Sequence, residues 1–208
     1  MRILGVDPGL TRCGVGIIEA DAYRRVKLVD VGVARSVPDQ APQQRLLIIY
    51  NELLTQIKIF HPDVVAIERV FAEENVRSVT STAQVAGIAM LAAAQFSLPV
   101  ALYSPSEVKA AVTGNGRAVK KQVQFMVQKI LQLDALPRPK DAADALAIAV
   151  CCAWRGGGES GQKTDRAQHG GAGMLPRVEG ADLTPAQKLW AQAERLESRH
   201  GAVAPKNK

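Results

Sequence analysis

The chain holds 208 residues, 47% hydrophobic and 22% charged, enough apolar material for one packed domain with an appendage. No apolar run approaches the roughly 20 residues that span a bilayer. The start of the chain lacks an export signal, and three cysteines without a C-x-x-C pair exclude a disulfide framework and a zinc module, so the cytoplasm is the expected compartment.

Ile3–Asp7, Gly14–Glu19 and Val26–Val33 are short apolar or alternating runs whose brief connections predict an antiparallel meander. Leu46, Tyr50, Leu53, Ile57 and Phe60 mark an amphipathic helix that His61-Pro62 ends. Val64–Glu68 is a continuous apolar run closed by an acid, as expected of a strand buried on both faces. A helix over about 77–97 is rich in small residues (Ala83, Ala86, Gly87, Ala89, Ala92, Ala93). Those residues suit close packing, in the core of one chain or against a second subunit.

Pro99–Tyr103 predicts a fifth strand, and Ser104-Pro105-Ser106-Glu107 a capping box that opens a short helix broken at Thr113–Gly116. The next helix is expected to turn Val119, Val123, Met126, Val127, Ile130 and Leu131 inward, and a last helix runs from after Pro139 to Trp154. The sum is an α/β fold over 1–155, a mixed five-stranded sheet flanked by α-helices. Residues 156–208 carry 9 of the 17 glycines and few branched apolar residues, and read as a mostly disordered tail. Within it Thr184-Pro185-Ala186-Gln187 predicts the start of a short helix near 185–198.

The net charge is +6, and residues 109–140 alone supply it: Lys109, Arg117, Lys120, Lys121, Lys129, Arg138 and Lys140 stand against Asp134. A basic stretch of this kind points to a polyanion. Four acids, by contrast, sit where folding does not want them. Asp7 and Glu68 close two apolar strands, and on parallel neighbours both would emerge at the carboxyl edge of the sheet, the usual site in open α/β folds. Asp141 and Asp144 share one face at the start of a helix that is otherwise apolar all round. Each acid alone has an ordinary reading: a turn residue, a helix-dipole partner or half of an ion pair. Four like charges near a core need counter-charge. Oxygen-only ligands suit Mg²⁺ or Mn²⁺ over zinc, and two divalent ions would balance four carboxylates. Such a pair suits phosphodiester hydrolysis.

Asp7-Pro8-Gly9 with Gly14, Ala66–Phe71, Val108-Lys109, Gly114-Asn115-Gly116 before a Lys-bearing helix, and Asp141-Ala142-Ala143-Asp144-Ala145-Leu146-Ala147 resemble the RuvC-type crossover junction endodeoxyribonucleases, the Holliday junction resolvases. The likeness runs from residue 1 to about 155, and 156–208 lies outside it. It implies a ribonuclease H-like fold, a homodimer, and nicking of two opposing strands of a four-way DNA junction in recombination and repair, with a branch-migration motor as partner. It implies Mg²⁺ held by Asp7, Glu68, Asp141 and Asp144, and places Lys120 and Lys109 near the scissile phosphate. Phe71 matches an aromatic position near the junction centre, where stacking on a base is worth roughly 1–3 kcal/mol. Arg117 and Lys121 are further DNA-binding candidates from the basic stretch. Arg69 follows the strand-end acid where many members carry Gln.

Two other classes compete. Asp7–Thr11 resembles the first phosphate loop of actin-like ATP-handling folds, but those need a second such loop and a second lobe, and Gly161-Gln162-Lys163-Thr164 misses the P-loop order. A non-catalytic DNA-binding module explains the basic stretch and leaves the four acids without a role. A ribonuclease H-like nuclease acting on another nucleic acid remains open on residue pattern alone.

Overall fold

The computed structural model describes residues 1–69 and 76–156. Phe71 with its loop, and the expected tail with its helix near 185–198, lie outside them. β1 (Arg2–Asp7), β2 (Arg12–Ala20) and β3 (Val26–Arg35) form the antiparallel meander. β4 (Val64–Glu68) joins β1 in parallel, and β5 (Val100–Tyr103) joins β4 in parallel, giving the order β3-β2-β1-β4-β5. The helices are α1 (Pro42–Phe60), α2 (Val76–Gln95), α3 (Pro105–Thr113), α4 (Lys120–Ile130) and α5 (Lys140–Arg155).

Alternation along β1 divides the core into two layers. Leu4 and Val6 pack with Ile49, Leu53 and Ile57 of α1 and with Val85, Ala89 and Ala92 of α2. Ile3 on the opposite face packs with Val108 and Val112 of α3, Val123 and Val127 of α4, and Leu146 to Ala153 of α5. β4 serves both layers, which is why its sequence is apolar without alternation.

The local chemistry sets the ends. His61 adopts a left-handed φ of 46° after α1, its N–H bonded to the Ile57 carbonyl, and Pro62 prevents continuation. The Ser104 hydroxyl accepts from the Glu107 N–H at 3.2 Å while the Ser104 N–H donates to Glu107 Oε2 at 2.8 Å, the reciprocal box expected there. Gly114 ends α3 at φ 77°. Val119 corrects the sequence reading: it caps α4 instead of facing inward and is 62% exposed. Its N–H donates to the Gln122 side chain at 3.0 Å, so the chain turns into the helix there and the buried period starts at Val123.

α5 is buried on every side, with residues from Ala142 to Ala153 except Asp144 almost inaccessible, and it lies directly on β1 and β2. Glycine makes that approach feasible. A Cβ on Gly5 would come within 2.2 Å of the Ala145 carbonyl oxygen, and one on Gly14 within 2.0 Å of the Asp141 carbonyl oxygen. α2 uses its small residues on two faces: Val85, Ala86, Ala89, Ala92 and Ala93 are buried, while Ala83, Gly87, Met90, Leu91 and Ala94 are exposed.

Candidate active site

Parallel pairing of β1 and β4 in the register Val6↔Ile67 puts the next residues, Asp7 and Glu68, at the same edge of the sheet. α5 approaches that edge with its first turn, and Asp141 and Asp144 project from it. Asp7, Glu68, Asp141 and Asp144 thus line one cavity of about 190 Å³ with Lys109 of α3, Lys120 of α4, and the apolar Val108, Val123 and Ala147. Three elements distant in sequence supply the acids, and two more supply the cations.

The electrostatics follow from this crowding. Burial, then Glu68, Asp144 and Asp141, raise Asp7 from 3.8 to about 7, against a smaller opposing pull from Lys120. Glu68 is raised by burial and by Asp144, with Lys120 and Lys109 opposing. Asp144 is also raised, chiefly by burial, even with the Lys120 ammonium 3.6 Å from its Oδ2. Desolvation outweighs one exposed lysine here, since the Lys120 side chain is 73% exposed and screened by water. The Arg12 guanidinium reaches Asp141 at 3.1 Å.

Among the described residues, no group of three or more His, Cys, Asp or Glu side chains is arranged to hold a metal ion as the side chains stand. The carboxylates wall a shared cavity, two of them turned to basic partners. An oxygen-only donor set of four crowded carboxylates fits a hard divalent cation in chemical type.

The sequence-derived candidates divide accordingly. The four acids, Lys120 and Lys109 are brought together. Arg117 and Lys121 are exposed and lie outside the cavity lining. Lys129 sits 5.5 Å from the Phe125 ring on the outer side of α4. Arg12 escaped the sequence reading. Its one signal was a basic residue in the turn between Asp7 and Gly14, and exposed arginines are common in turns. Cys13 packs in the core beside Asp7, its thiol pushed up to about 12 by burial, and takes no part as an anion. A larger hollow of about 520 Å³ at the other end of β1 is walled by Arg2, Glu19, Asp21 and Arg25, which pair among themselves. No described helix is long and apolar enough to cross a membrane.

The chain is similar in fold to solved structures and in sequence to relatives. Thermus thermophilus RuvC in complex with a Holliday junction substrate superposes with a TM-score of 0.71 at 33% identity, covering 74% of this chain and 94% of that one. The yeast mitochondrial Holliday junction resolvase Ydc2 shares the fold at a TM-score of 0.53 and 13% identity, over 79% of this chain and 83% of its own. The crossover junction endodeoxyribonuclease RuvC of Bifidobacterium adolescentis is 54% identical over 98% of both chains. That alignment reaches beyond residue 155, so most of the extension set outside the resemblance has a counterpart in a relative. The family model for crossover junction endodeoxyribonuclease RuvC matches residues 3–152, and with the resolvase fold and the carboxylate edge described above, the chain belongs to the RuvC family of crossover junction endodeoxyribonucleases.

Proposed function

We propose that the chain resolves four-way DNA junctions by hydrolysing one phosphodiester in each of two opposing strands, with Asp7, Glu68, Asp141 and Asp144 holding two Mg²⁺, or Mn²⁺, per site. The observation that carries this is the meeting of the four carboxylates with Lys109 and Lys120 around one small cavity at the carboxyl edge of the sheet. Ions bound there would activate a water and stabilise the leaving oxygen.

The chain's own groups have distinct tasks. Asp7 and Glu68 come from strand ends on a rigid sheet, and so fix the depth of the site. Asp141 and Asp144 come from α5, whose backbone is seated on Gly5 and Gly14. Lys120 opens α4 with its ammonium beside Asp144, where it can neutralise charge that develops on the scissile phosphate. Lys109, on the same wall, adds a second positive charge. Arg12 orients Asp141. Arg12 and Lys120 each contact one carboxylate oxygen, of Asp141 and Asp144 respectively, so the other oxygen of each acid would be available to a divalent cation. Arg117 and Lys121 grip phosphates farther from the cut.

The described residues of one chain hold one such carboxylate cluster, and two opposing cuts need two clusters. A homodimer meets that need, and the exposed apolar stripe of α2 (Gly87, Met90, Leu91) is a surface suited to form it. A branch-migration motor as partner follows from the family resemblance alone.

The test is cleavage by the full chain, with Mg²⁺ or Mn²⁺, of a labelled four-way junction beside an RNA–DNA hybrid and a linear duplex. The expected result is paired nicks in opposing junction strands. Cutting of the hybrid with the junction spared would favour the ribonuclease H-like alternative, and ATP turnover without nicking the actin-like one.

A further inference from the structure

Beside the catalytic cavity lies a second, wider groove of about 770 Å³, lined by Arg12, Gln124, Leu136, Pro137, Arg138, Pro139, Lys140 and Asp141. Asp141 belongs to both linings, so the groove leads directly out of the site. Its chemistry is two-sided. Arg138 and Lys140 are exposed and make no ion pair among the described residues, and the Arg12 side chain is 57% exposed beside them. Leu136, 44% exposed, stands with Pro137 and Pro139 as an apolar wall.

Core packing and helix capping account for neither half. Lys140 begins α5, where a helix dipole favours acids over bases. Leu136 and two prolines beside cations without ion pairs give the groove an amphipathic surface. A nucleic-acid strand has that character, with anionic phosphates on one side and the flat, less polar sugar and base on the other.

We propose that this groove is a strand-binding subsite that holds the cleaved DNA strand immediately beyond the scissile phosphate. Arg138 and Lys140 contact the flanking phosphates, and the Leu136–Pro139 wall supports the sugar and base. Continuity through Asp141 and the match of Arg138 and Lys140 to a polyanion argue for it over a peptide or a free nucleotide. Phosphate contacts of this kind fix the register of the strand over the metal-binding acids without reading its sequence. The proposal rests on the nuclease reading above and adds the path of the strand to it.

The test uses the full-length R138A/K140A double variant, with Lys27→Ala, on the far end of the sheet, as control. Both substituted residues are exposed, so the fold is retained. Junction affinity is measured by anisotropy in chelator over a range of salt. The double variant should bind about tenfold more weakly, with a salt slope lower by about two, while Lys27→Ala matches the wild type. The decisive arm places a single neutral methylphosphonate at each of the three phosphates on either side of the mapped cut. At one or two of these positions it should weaken the wild type several-fold and leave the double variant unaffected, which identifies the phosphates these side chains hold. Unchanged affinity and slope would overturn the proposal, as would methylphosphonate penalties that persist undiminished in the variant at all six positions. A wild type that cuts junctions normally while the variants show no coupling sinks the groove and spares the nuclease reading. A wild type that neither binds nor cuts junctions removes both.

Discussion

The proton affinity of Asp7 links the chemistry of the site to the stability of the fold. Its carboxyl rises from 3.8 to about 7 because burial and three neighbouring acids penalise its charged form. The native state therefore holds a proton between about pH 4 and 7 that the unfolded chain has released. Stability contributed by this group is full below pH 4 and is lost as pH rises through 7, an upper bound of about 4 kcal/mol for one proton. Asp7→Asn should then melt several degrees above the wild type at pH 8 in chelator, the gap closing toward pH 4, while nicking is abolished and junction binding kept. A melting difference that is independent of pH would contradict this account of Asp7. Lys120→Ala tests the other sign of charge. It should slow single-turnover cleavage at saturating protein far more than it weakens binding, because its ammonium lies at the carboxylates. Lys121→Ala, which points away from the cavity, should affect binding or nothing, and wild-type cleavage by Lys120→Ala would reduce Lys120 to a phosphate grip. The four acids were legible in the sequence because each breaks an apolar pattern that folding explains. Arg12 breaks no pattern, and only the backbone brings it to the site; Arg138 and Lys140 were legible as part of the basic stretch, but not their place beside Asp141.

At the scale of elements, the site depends on how closely α5 can lie on the sheet. The Asp141 carbonyl sits where a side chain on Gly14 would have to be. Gly14→Ala must push the first turn of α5 outward or twist β2, and overpacking of this kind costs about 1–3 kcal/mol. The expected outcome is a folded protein with a lowered melting temperature and cleavage reduced by at least a hundredfold, since about 1 Å of misplacement costs that much. Gly32→Ala, where an added Cβ meets nothing within 4 Å, is the matched control and should cleave normally. If Gly14→Ala cuts at the wild-type rate, α5 does not need this seat. The order and type of the elements were readable because their apolar periods are unambiguous, down to the Ser104 capping box and the stop at His61. Val119 misled because an apolar residue at a helix start extends the period by one turn whether or not the chain has yet turned inward. Which strands are neighbours was readable only in part. Nothing local specifies that β4 pairs with β1, and the meeting of Asp7 with Glu68 rests on that long-range contact.

Across the whole molecule, the open question is how one cluster of acids serves two strands. The inner face of α2 is consumed by the core, so its small residues are not a sign of pairing in themselves. Its outer face is another matter. A Cβ on Gly87 would meet nothing within 4 Å, and Met90 and Leu91 beside it are 38% and 53% exposed. A helix with a bare glycine flanked by large apolar side chains allows a second helix to approach its backbone closely, and two copies related by a twofold axis would present the same stripe to each other. Leu91→Arg places a charge on that stripe without touching the core or the carboxylates. The variant should sediment as a monomer where the wild type sediments as a dimer. On a supercoiled plasmid that extrudes a cruciform, it should leave nicked circles, because the two strands are cut in separate encounters, whereas the paired enzyme produces linear DNA in one. A variant that still sediments as a dimer and linearises the plasmid would place the interface elsewhere on the surface.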